Sequence, residues 1–372
     1  MTAEEEAVPA ALRPPVEERY ADELAALRRA DAESDAVRPP GWALSARAVR
    51  AFVIGDERWG VRRKFYGDDP LVDRAIVALL GRQGLMLVGE PGTAKSMLSE
   101  LLAAAISGTS ALTVQGTAGT TEDHVRYSWN YALLIADGPS PRALVPSPIF
   151  RAMQTGRIAR FEEVTRCAPE VQDSLVSILS EKVLMVPELG EESTVSARPG
   201  FNVIGTANLR DRGVNEMSAA LKRRFAFETV RPIADPVFER ELVRLEVAAA
   251  LGSAPGGGDL FETDVLELLV TVFQELRSGV TAEGSPLRRP ETVMSTAEAV
   301  NTAIAASLEA RYLGGGRPGA AEIARAMAGV AHKDDDEDAQ RLKAYVDTVV
   351  RERARGSRTW RTFFVAAEEL WG

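Results

Sequence analysis

The segment Leu85-Met-Leu-Val-Gly-Glu-Pro-Gly-Thr-Ala-Lys-Ser96 reads as an apolar strand, a glycine-bearing loop and a helix opened by Lys-Ser. A strand that delivers the chain to such a loop turns backbone N–H groups onto phosphate oxygens, at the positive end of the following helix. On that reading Gly89, Glu90, Pro91, Gly92, Thr93, Ala94 and Met97 frame a polyphosphate. Lys95 would reach the β- and γ-phosphates, and Ser96 would ligand Mg²⁺. Ala94 stands where the pattern G-x-x-x-x-G-K-S/T has its second glycine, which leaves Gly92 to supply the loop's flexibility.

Hydrolysing a nucleotide needs more than a phosphate loop. It needs a carboxylate near the metal, another to orient the attacking water, and a positive charge facing the γ-phosphate. Arg157-Ile-Ala-Arg-Phe-Glu-Glu163 ends a strand on two acids, at the end where parallel strands present groups to a ligand. Glu162 would hold the metal through water, and Glu163 would polarise the lytic water. Alone, a strand-end Glu-Glu is a solvated edge; behind a phosphate loop and ahead of a helix, it reads as functional. Phe201-Asn-Val-Ile-Gly-Thr-Ala-Asn208 ends another strand on an amide. Asn208 would bond the γ-phosphate or the water, although an isolated Asn there is a turn former. Ala220-Leu-Lys-Arg-Arg-Phe225 sets three cations at a helix end. They compensate the helix dipole, or, in a ring of subunits, Arg223 or Arg224 reaches the neighbouring site as an arginine finger.

The elements that must position these residues follow from periodicity. Val16–Ala32 reads as an amphipathic helix between the Pro14-Pro15 and Pro39-Pro40 pairs, within an N-terminal helical arm over 1–60. This arm is either loosely attached or a docking helix for a neighbouring subunit. Helical spacing spans Asp69–Leu80, Met97–Ser107 and Ala168–Glu181, and strands are expected at Ala111–Gln115, Arg157–Phe161, Phe201–Thr206 and Phe225–Val230. Gly116–Pro148 reads as irregular, and Val183–Pro187 with Val195–Ala197 as a hairpin. Strands alternating with helices imply an α/β fold with a mainly parallel sheet over 61–232. Strand signals end after Pro232, so 233–372 reads as an all-α lid with C-terminal helices.

The order GEPGTAKS, ARFEEV, VIGTAN, ALKRRF resembles an AAA+ ATPase, and the finer pattern resembles the MoxR family, relatives of the magnesium-chelatase motor subunit. Val145-Pro-Ser-Pro-Ile-Phe150 is similar to the segment that precedes the family's second strand motif, and Thr165-Arg-Cys-Ala-Pro-Glu-Val-Gln-Asp-Ser-Leu175 to the helix after it. The Val183–Ala197 hairpin matches an insertion before the third strand motif. The resemblance is strong over Phe65–Val230, weaker to about Ala310, and does not reach the first 60 or last 50 residues. It implies a wedge-shaped AAA+ core with a helical lid, assembled as a homo-oligomeric ring, usually a hexamer, with ATP and Mg²⁺ between subunits. It also implies work on a protein client or beside a protein with a von Willebrand factor A domain. Arg288-Arg-Pro-Glu-Thr-Val-Met-Ser-Thr-Ala-Glu-Ala-Val300 stands where the family's lid helix begins, so Arg288 or Arg289 would touch the nucleotide. The chain departs from the family at Glu162, where Asp is usual, at Ala94, and at Arg160, which is unexpected in a buried strand. Two other readings stand beside the motor: a nucleotide-binding scaffold with little hydrolysis, and the motor of a restriction or conflict system acting through a DNA-binding partner.

Composition narrows the class. A net charge of −10, with 54 acidic and 44 basic side chains, offers no basic footprint for nucleic acid or a membrane surface. The single cysteine, Cys167, excludes an intrachain disulfide and reads as structural. The start, Met-Thr-Ala-Glu-Glu-Glu, lacks the apolar core of a secretory signal, and no run of about 18 apolar residues appears. A cytoplasmic protein is expected. His124 and His332 lack zinc-site spacing, and Lys333–Asp338 reads as a solvated turn. Tyr127, Trp129 and Tyr131 would pack or meet a client; Trp360, Phe363, Phe364 and Trp371 would seal the lid or dock a partner.

Overall fold

Buried strands of five or six residues, alternating with helices, set the first half of the chain. The structure is a computed structural model that describes residues 13–190, 193–208, 213–252, 260–291, 294–314, 316–331 and 336–371. The chain divides into two units: one holds the residues through Gly89 and Ala94–Val230, the other Arg231 onward together with Glu90–Thr93.

The first unit begins with α1 (Val16–Arg19), α2 (Ala21–Ala32), α3 (Ala46–Ile54) and α4 (Asp69–Leu80). The helix expected over 16–32 breaks at Tyr20, whose φ of −121° and ψ of 31° leave the helical region. Ser45 caps α3, its Oγ accepting from the Ala48 N–H at 3.2 Å. There follow β1 (Gly84–Val88), α5 (Lys95–Ser107), β2 (Thr113–Gln115), α6 (Glu122–Val125), β3 (Tyr127–Trp129), α7 (Tyr131–Asp137), β4 (Leu144–Pro146), α8 (Pro148–Thr155) and β5 (Ile158–Glu162). The unit ends with α9 (Pro169–Glu181), β6 (Val183–Met185), β7 (Thr194–Ser196), β8 (Asn202–Ala207), α10 (Ala219–Lys222) and β9 (Phe225–Thr229).

Five strands form one parallel sheet in the order β2-β5-β8-β1-β9. Every residue of β1, β5 and β8 is buried, as a parallel sheet covered on both faces requires. The expected hairpin forms from β6 and β7. The stretch read as irregular contains a second hairpin, β3 with β4, and the short helices α6 and α7. The helix α7 stands between β3 and β4 where a hairpin pattern expects a short turn, which is why the pattern missed them.

Residues 13–60 differ from the expected arm. Leu24, Leu27, Val49 and Phe52 are buried in the same apolar cluster as Leu85, Leu98 and Ile204 of the sheet and α5. Polar contacts fasten them further: the Glu17 carboxylate accepts from the Ser110 N–H at 3.0 Å, and buried Lys64 pairs with Glu23 and donates to the Phe52 carbonyl at 3.0 Å. Burial of apolar side chains drives the docking, so the break at residue 60 does not separate two bodies.

The second unit is helical: α11 (Pro236–Ala250), α12 (Thr263–Ser278), α13 (Thr296–Tyr312), α14 (Ala320–Ala331), α15 (Asp336–Tyr345), a π-turn at Val346–Val350, α16 (Arg351–Ala354) and α17 (Arg358–Trp371). Its core gathers Phe273, Ala303, Ile323 and Phe363. Phe363 therefore seals this unit, with Trp360 edge-on to it at 6.3 Å. His332, Lys333–Asp335 and the side chain of Trp371 lie outside the described residues. Among the described residues, no helix is long and apolar enough to cross a membrane.

Leu27 tests the attachment of the N-terminal helices. The side chain is fully buried, so Leu27→Ala should cost about 2–5 kcal/mol. A urea titration reads this as a lower midpoint for the first unit. A midpoint unmoved by the substitution would mean that these helices stand apart from the sheet.

Candidate functional site

Strands β1, β8 and β5 are neighbours and parallel, so their carboxyl ends meet on one edge of the sheet. β1 runs into the loop 89–94, β5 into Glu162 and Glu163, and β8 into Asn208. The edge that collects ligands in open α/β sheets thus holds the phosphate loop, both acids and the amide.

The loop turns through Gly92, at φ 73°, and Ala94, at φ 66° and ψ 24°. Ala94 is the residue that starts α5, and its left-handed conformation explains the glycine of the usual pattern. With alanine the turn is kept at a cost of about 1–2 kcal/mol. Lys95 is buried and donates from Nζ to the Gly89 carbonyl at 2.9 Å.

Glu162 is the centre of the site. It is 4% exposed, and four donors from three elements hold its carboxylate. Ser96 Oγ and Thr206 Oγ1 donate to Oε2, each at 2.7 Å. Ser99 Oγ donates to Oε1 at 2.6 Å, and Arg160 Nη2 to the same oxygen at 2.7 Å. Burial pushes the Glu162 carboxyl upward, but the Arg160 charge and the Ser99, Ser96 and Thr206 hydroxyls outweigh it. The net effect lies below the ordinary carboxylate value.

Glu163 sits beside it in the left-handed region, at φ 55° and ψ 45°. Its N–H donates to Thr206 Oγ1 at 3.0 Å, and Arg166 Nε donates to its Oε2 at 3.2 Å. Gly116 crosses close by. Its N–H donates to the Glu162 carbonyl at 2.7 Å, and a Cβ there would fall 2.3 Å from the Glu163 carbonyl oxygen. Asn208 is buried at the end of β8.

The cations expected as fingers are not gathered here. Arg224 donates from Nε to Ser180 Oγ at 2.8 Å and from Nη1 to the Ala220 carbonyl at 3.2 Å. Arg223 is exposed, and its carbonyl accepts from Gln83 Nε2 at 3.0 Å. Arg288 and Arg289 are exposed in the second unit. They precede α13 rather than opening it, since Ser295 caps that helix and accepts from the Glu298 N–H.

Other candidates take ordinary roles. His124 Nδ1 accepts from the Thr121 N–H at 3.1 Å and caps α6. Tyr127 packs edge-on to Trp129 and Phe150, while its hydroxyl donates to Glu188 Oε2 at 2.8 Å. Tyr131 is exposed. Cys167 is buried, which raises its thiol pKa. Among the described residues no cluster of His, Cys, Asp and Glu is built to hold a metal.

Sequence reading missed Ser99, Thr206, Arg166 and Gly116, and took Arg160 for an anomaly. Some signal was there. Arg160 and Glu162 are two apart on one strand and share a face. Ser99 is one turn past Ser96 on α5. The register Phe161↔Gly205 sets Thr206 beside Glu162.

Two outcomes follow. Because the Glu162 carboxyl is held below its ordinary pKa, its stabilisation is complete above the unfolded value of about 4.3 and is lost as pH falls through the folded value. Arg160→Gln removes the cation, and burial then favours the protonated acid. Urea midpoints should show a loss of about 3–5 kcal/mol near neutral pH. That loss should shrink below about pH 4, where the acid is protonated in the unfolded chain; a deficit that stays constant with pH would contradict the pairing. Ala94→Gly relieves the left-handed strain but frees the unfolded chain, for a net gain of about 0.5–1 kcal/mol. An unchanged or lower urea midpoint would show that the turn carries no such strain.

Comparison with known proteins now bears on this geometry. Residues 84–225 match the family described as AAA domain (dynein-related subfamily), and residues 238–370 match the YehL-like AAA+ ATPase C-terminal domain. The second match extends past the region where motifs carried a resemblance. YehL of Escherichia coli (strain K12), a protein of uncharacterised function, is 49% identical over 359 residues, which cover 96% of this chain and 97% of that one. The chaperone MoxR1 of Mycobacterium tuberculosis (strain ATCC 25618 / H37Rv) is 26% identical over 221 residues, 55% of this chain and 51% of that protein. A crystal structure of NtrX from Brucella abortus in complex with ADP covers 66% of this chain and 49% of its own at 13% identity. Its TM-score of 0.44 is too low to bear on the argument. Motifs, sheet and relatives agree: the chain belongs to the MoxR-like AAA+ ATPases, among those that carry the YehL-like C-terminal domain.

Proposed function

We propose that the chain binds Mg-ATP and hydrolyses it at the subunit interfaces of a homo-oligomeric ring, a hexamer by family habit, and uses turnover to remodel a protein partner in the cytoplasm. The partner is a client or a protein with a von Willebrand factor A domain; the name of the chaperone MoxR1, a relative, supports a remodelling role. One observation carries the nucleotide reading: Ser96 Oγ and Thr206 Oγ1 converge on one oxygen of Glu162, so the phosphate loop, the acid strand and the Asn208 strand are locked in one register.

The residues fit Mg²⁺, since Ser96 hydroxyl and Glu162 carboxylate are hard oxygen donors and that ion is held by one or two carboxylates with the remainder from water and phosphate. When bound it would neutralise charge on the phosphate oxygens. The chain's own groups do the remainder. Backbone N–H groups of the loop 89–96, apart from Pro91, and the Lys95 ammonium bind the polyphosphate, and Ser96 directly and Glu162 through water would hold the metal. Glu163 polarises the attacking water, and Asn208 bonds that water or the γ-phosphate. Arg224 or Arg223 of a neighbouring copy faces the γ-phosphate, and Arg288 or Arg289 touches the nucleotide from the second unit.

A second reading, a ring that binds nucleotide with little turnover, gains support from the same site. Arg160 pairs with Glu162, and Arg166 with Glu163. Both acids are thus engaged by cations.

Phosphate release with Mg-ATP across protein concentration separates the two. The motor predicts turnover per subunit that rises with concentration. It should fall about 10²-fold or more in Glu163→Gln and about 10³-fold in Arg224→Ala, or in Arg223→Ala if that residue is the finger. Wild-type protein that binds ATP without releasing phosphate would favour the scaffold.

A further inference from the structure

Arg160 is a buried charged group of the site that the proposed reaction leaves idle. It is 6% exposed, on β5, on the same face as Glu162. A guanidinium has five N–H donors, and here each has an acceptor. Nε donates to Ser99 Oγ at 2.9 Å, and Nη1 to the Ser110 carbonyl and Thr113 Oγ1, both at 3.1 Å. Nη2 donates to Glu162 Oε1 at 2.7 Å and to the Ser96 carbonyl at 3.4 Å. Glu100 Oε1 adds a charge contact at 3.5 Å. The group therefore cannot swing away without breaking bonds to α5, to β2 and to the turn at Ser110. Unlike a lysine, it does not shed its charge when buried. A fixed positive charge stands across one carboxylate from the oxygen that Ser96 holds.

We propose that Arg160 sets the metal dependence of the nucleotide site: its fixed charge, held against Glu162, opposes the divalent cation, so Mg-nucleotide forms only at a higher Mg²⁺ concentration than Ser96 and Glu162 alone would require. This rests on the Mg-nucleotide reading above. Arg160 is a positioning residue, because it touches Glu162 and not the nucleotide. Charge bookkeeping gives the sign. Glu162 and Arg160 together are neutral, so the incoming cation meets a neutral pair rather than a bare carboxylate. Removing the arginine exposes a charge of −1, removing the acid leaves +1, and removing both restores neutrality. Lys95, Glu100, Glu163 and Arg166 are the other charges nearby, and they are common to every variant.

The test is binding of N-methylanthraniloyl-ADP to the full chain, titrated with free Mg²⁺ at constant ionic strength. The diphosphate keeps turnover out of the readout. Arg160→Gln should lower the Mg²⁺ midpoint about tenfold and Glu162→Gln should raise it by a similar factor, as Coulomb terms at this range imply. The double variant should return to within about threefold of wild type. A role in packing alone would not give opposite shifts that cancel. Should Arg160→Gln fail to fold, the double variant leaves no buried charge unpaired, and with Glu162→Gln it carries the comparison. An Arg160→Gln midpoint within about twofold of wild type, or above it, overturns the proposal, as does a double variant that follows Glu162→Gln. Wild-type binding that ignores Mg²⁺ also overturns it. Wild-type protein that binds no nucleotide sinks the nucleotide reading itself, whereas wild-type binding with flat variants sinks only the role of Arg160.

Discussion

Burying a carboxylate at the end of a central strand costs several kcal/mol unless its oxygens are paired, and that constraint orders the first unit. Glu162 accepts from Ser96 and Ser99 on α5, Thr206 on β8 and Arg160 on its own strand. The two bonds from α5 would not survive a shift of that helix along the sheet. Since α5 begins where the loop 89–94 ends, the buried acid also fixes that loop. The Thr206 hydroxyl extends the same logic. It donates to the Glu162 carboxylate while accepting from the Glu163 N–H, so one side chain holds one acid's oxygens and the next residue's backbone.

Backbone strain collects at the same edge. Among the described residues, three that are not glycine have positive φ, and two of them, Ala94 and Glu163, flank this carboxylate in space or in sequence. Such conformations persist where the surroundings over-determine them. For Ala94 the loop must reverse into α5; for Glu163 the chain must leave β5 while Gly116 passes against its carbonyl. A glycine is required at 116 because any Cβ would strike that oxygen, a close-approach reason rather than a turn reason.

Much of this was legible in the sequence. The strand-loop-helix, the acid pair and the amide are local patterns, and α4 falls where periodicity set it. The parallel sheet follows from alternation. What resisted reading depends on register or on tertiary contact. Thr206 gains its meaning only from lying beside Glu162 across β5 and β8. Residues 13–60 look like a tethered arm, because composition does not reveal that Leu24 and Leu27 reach the same core as Leu98. The pair β3 and β4 is joined through α7, so no short turn announces it. Arg160 was visible yet misread, since a cation in an apolar strand looks like a fault until its partner two residues on is counted.

Buried ion pairs alone do not mark a functional site in this chain, and the second unit shows why. Glu239 is fully buried and accepts from Arg277 at 2.7 Å and Thr296 at 2.6 Å. Glu275 accepts from Tyr345 and Arg353, both at 2.6 Å. These clusters have the same chemical makeup as that of Glu162: an acid, an arginine and a hydroxyl. Their partners, however, are side chains of α11, α12, α13, α15 and α16, and they cross-link helices within an apolar core. Glu162 differs in where its donors stand. Two of its hydroxyl donors, Ser96 and Ser99, come from the first two turns of α5, and the third, Thr206, from a strand that ends on a buried amide. The same acid-arginine pairing thus serves as a cross-link between helices in one unit and as a buried charge pair beside the loop 89–94 in the other. Position on the sheet, rather than the pairing itself, assigns the role.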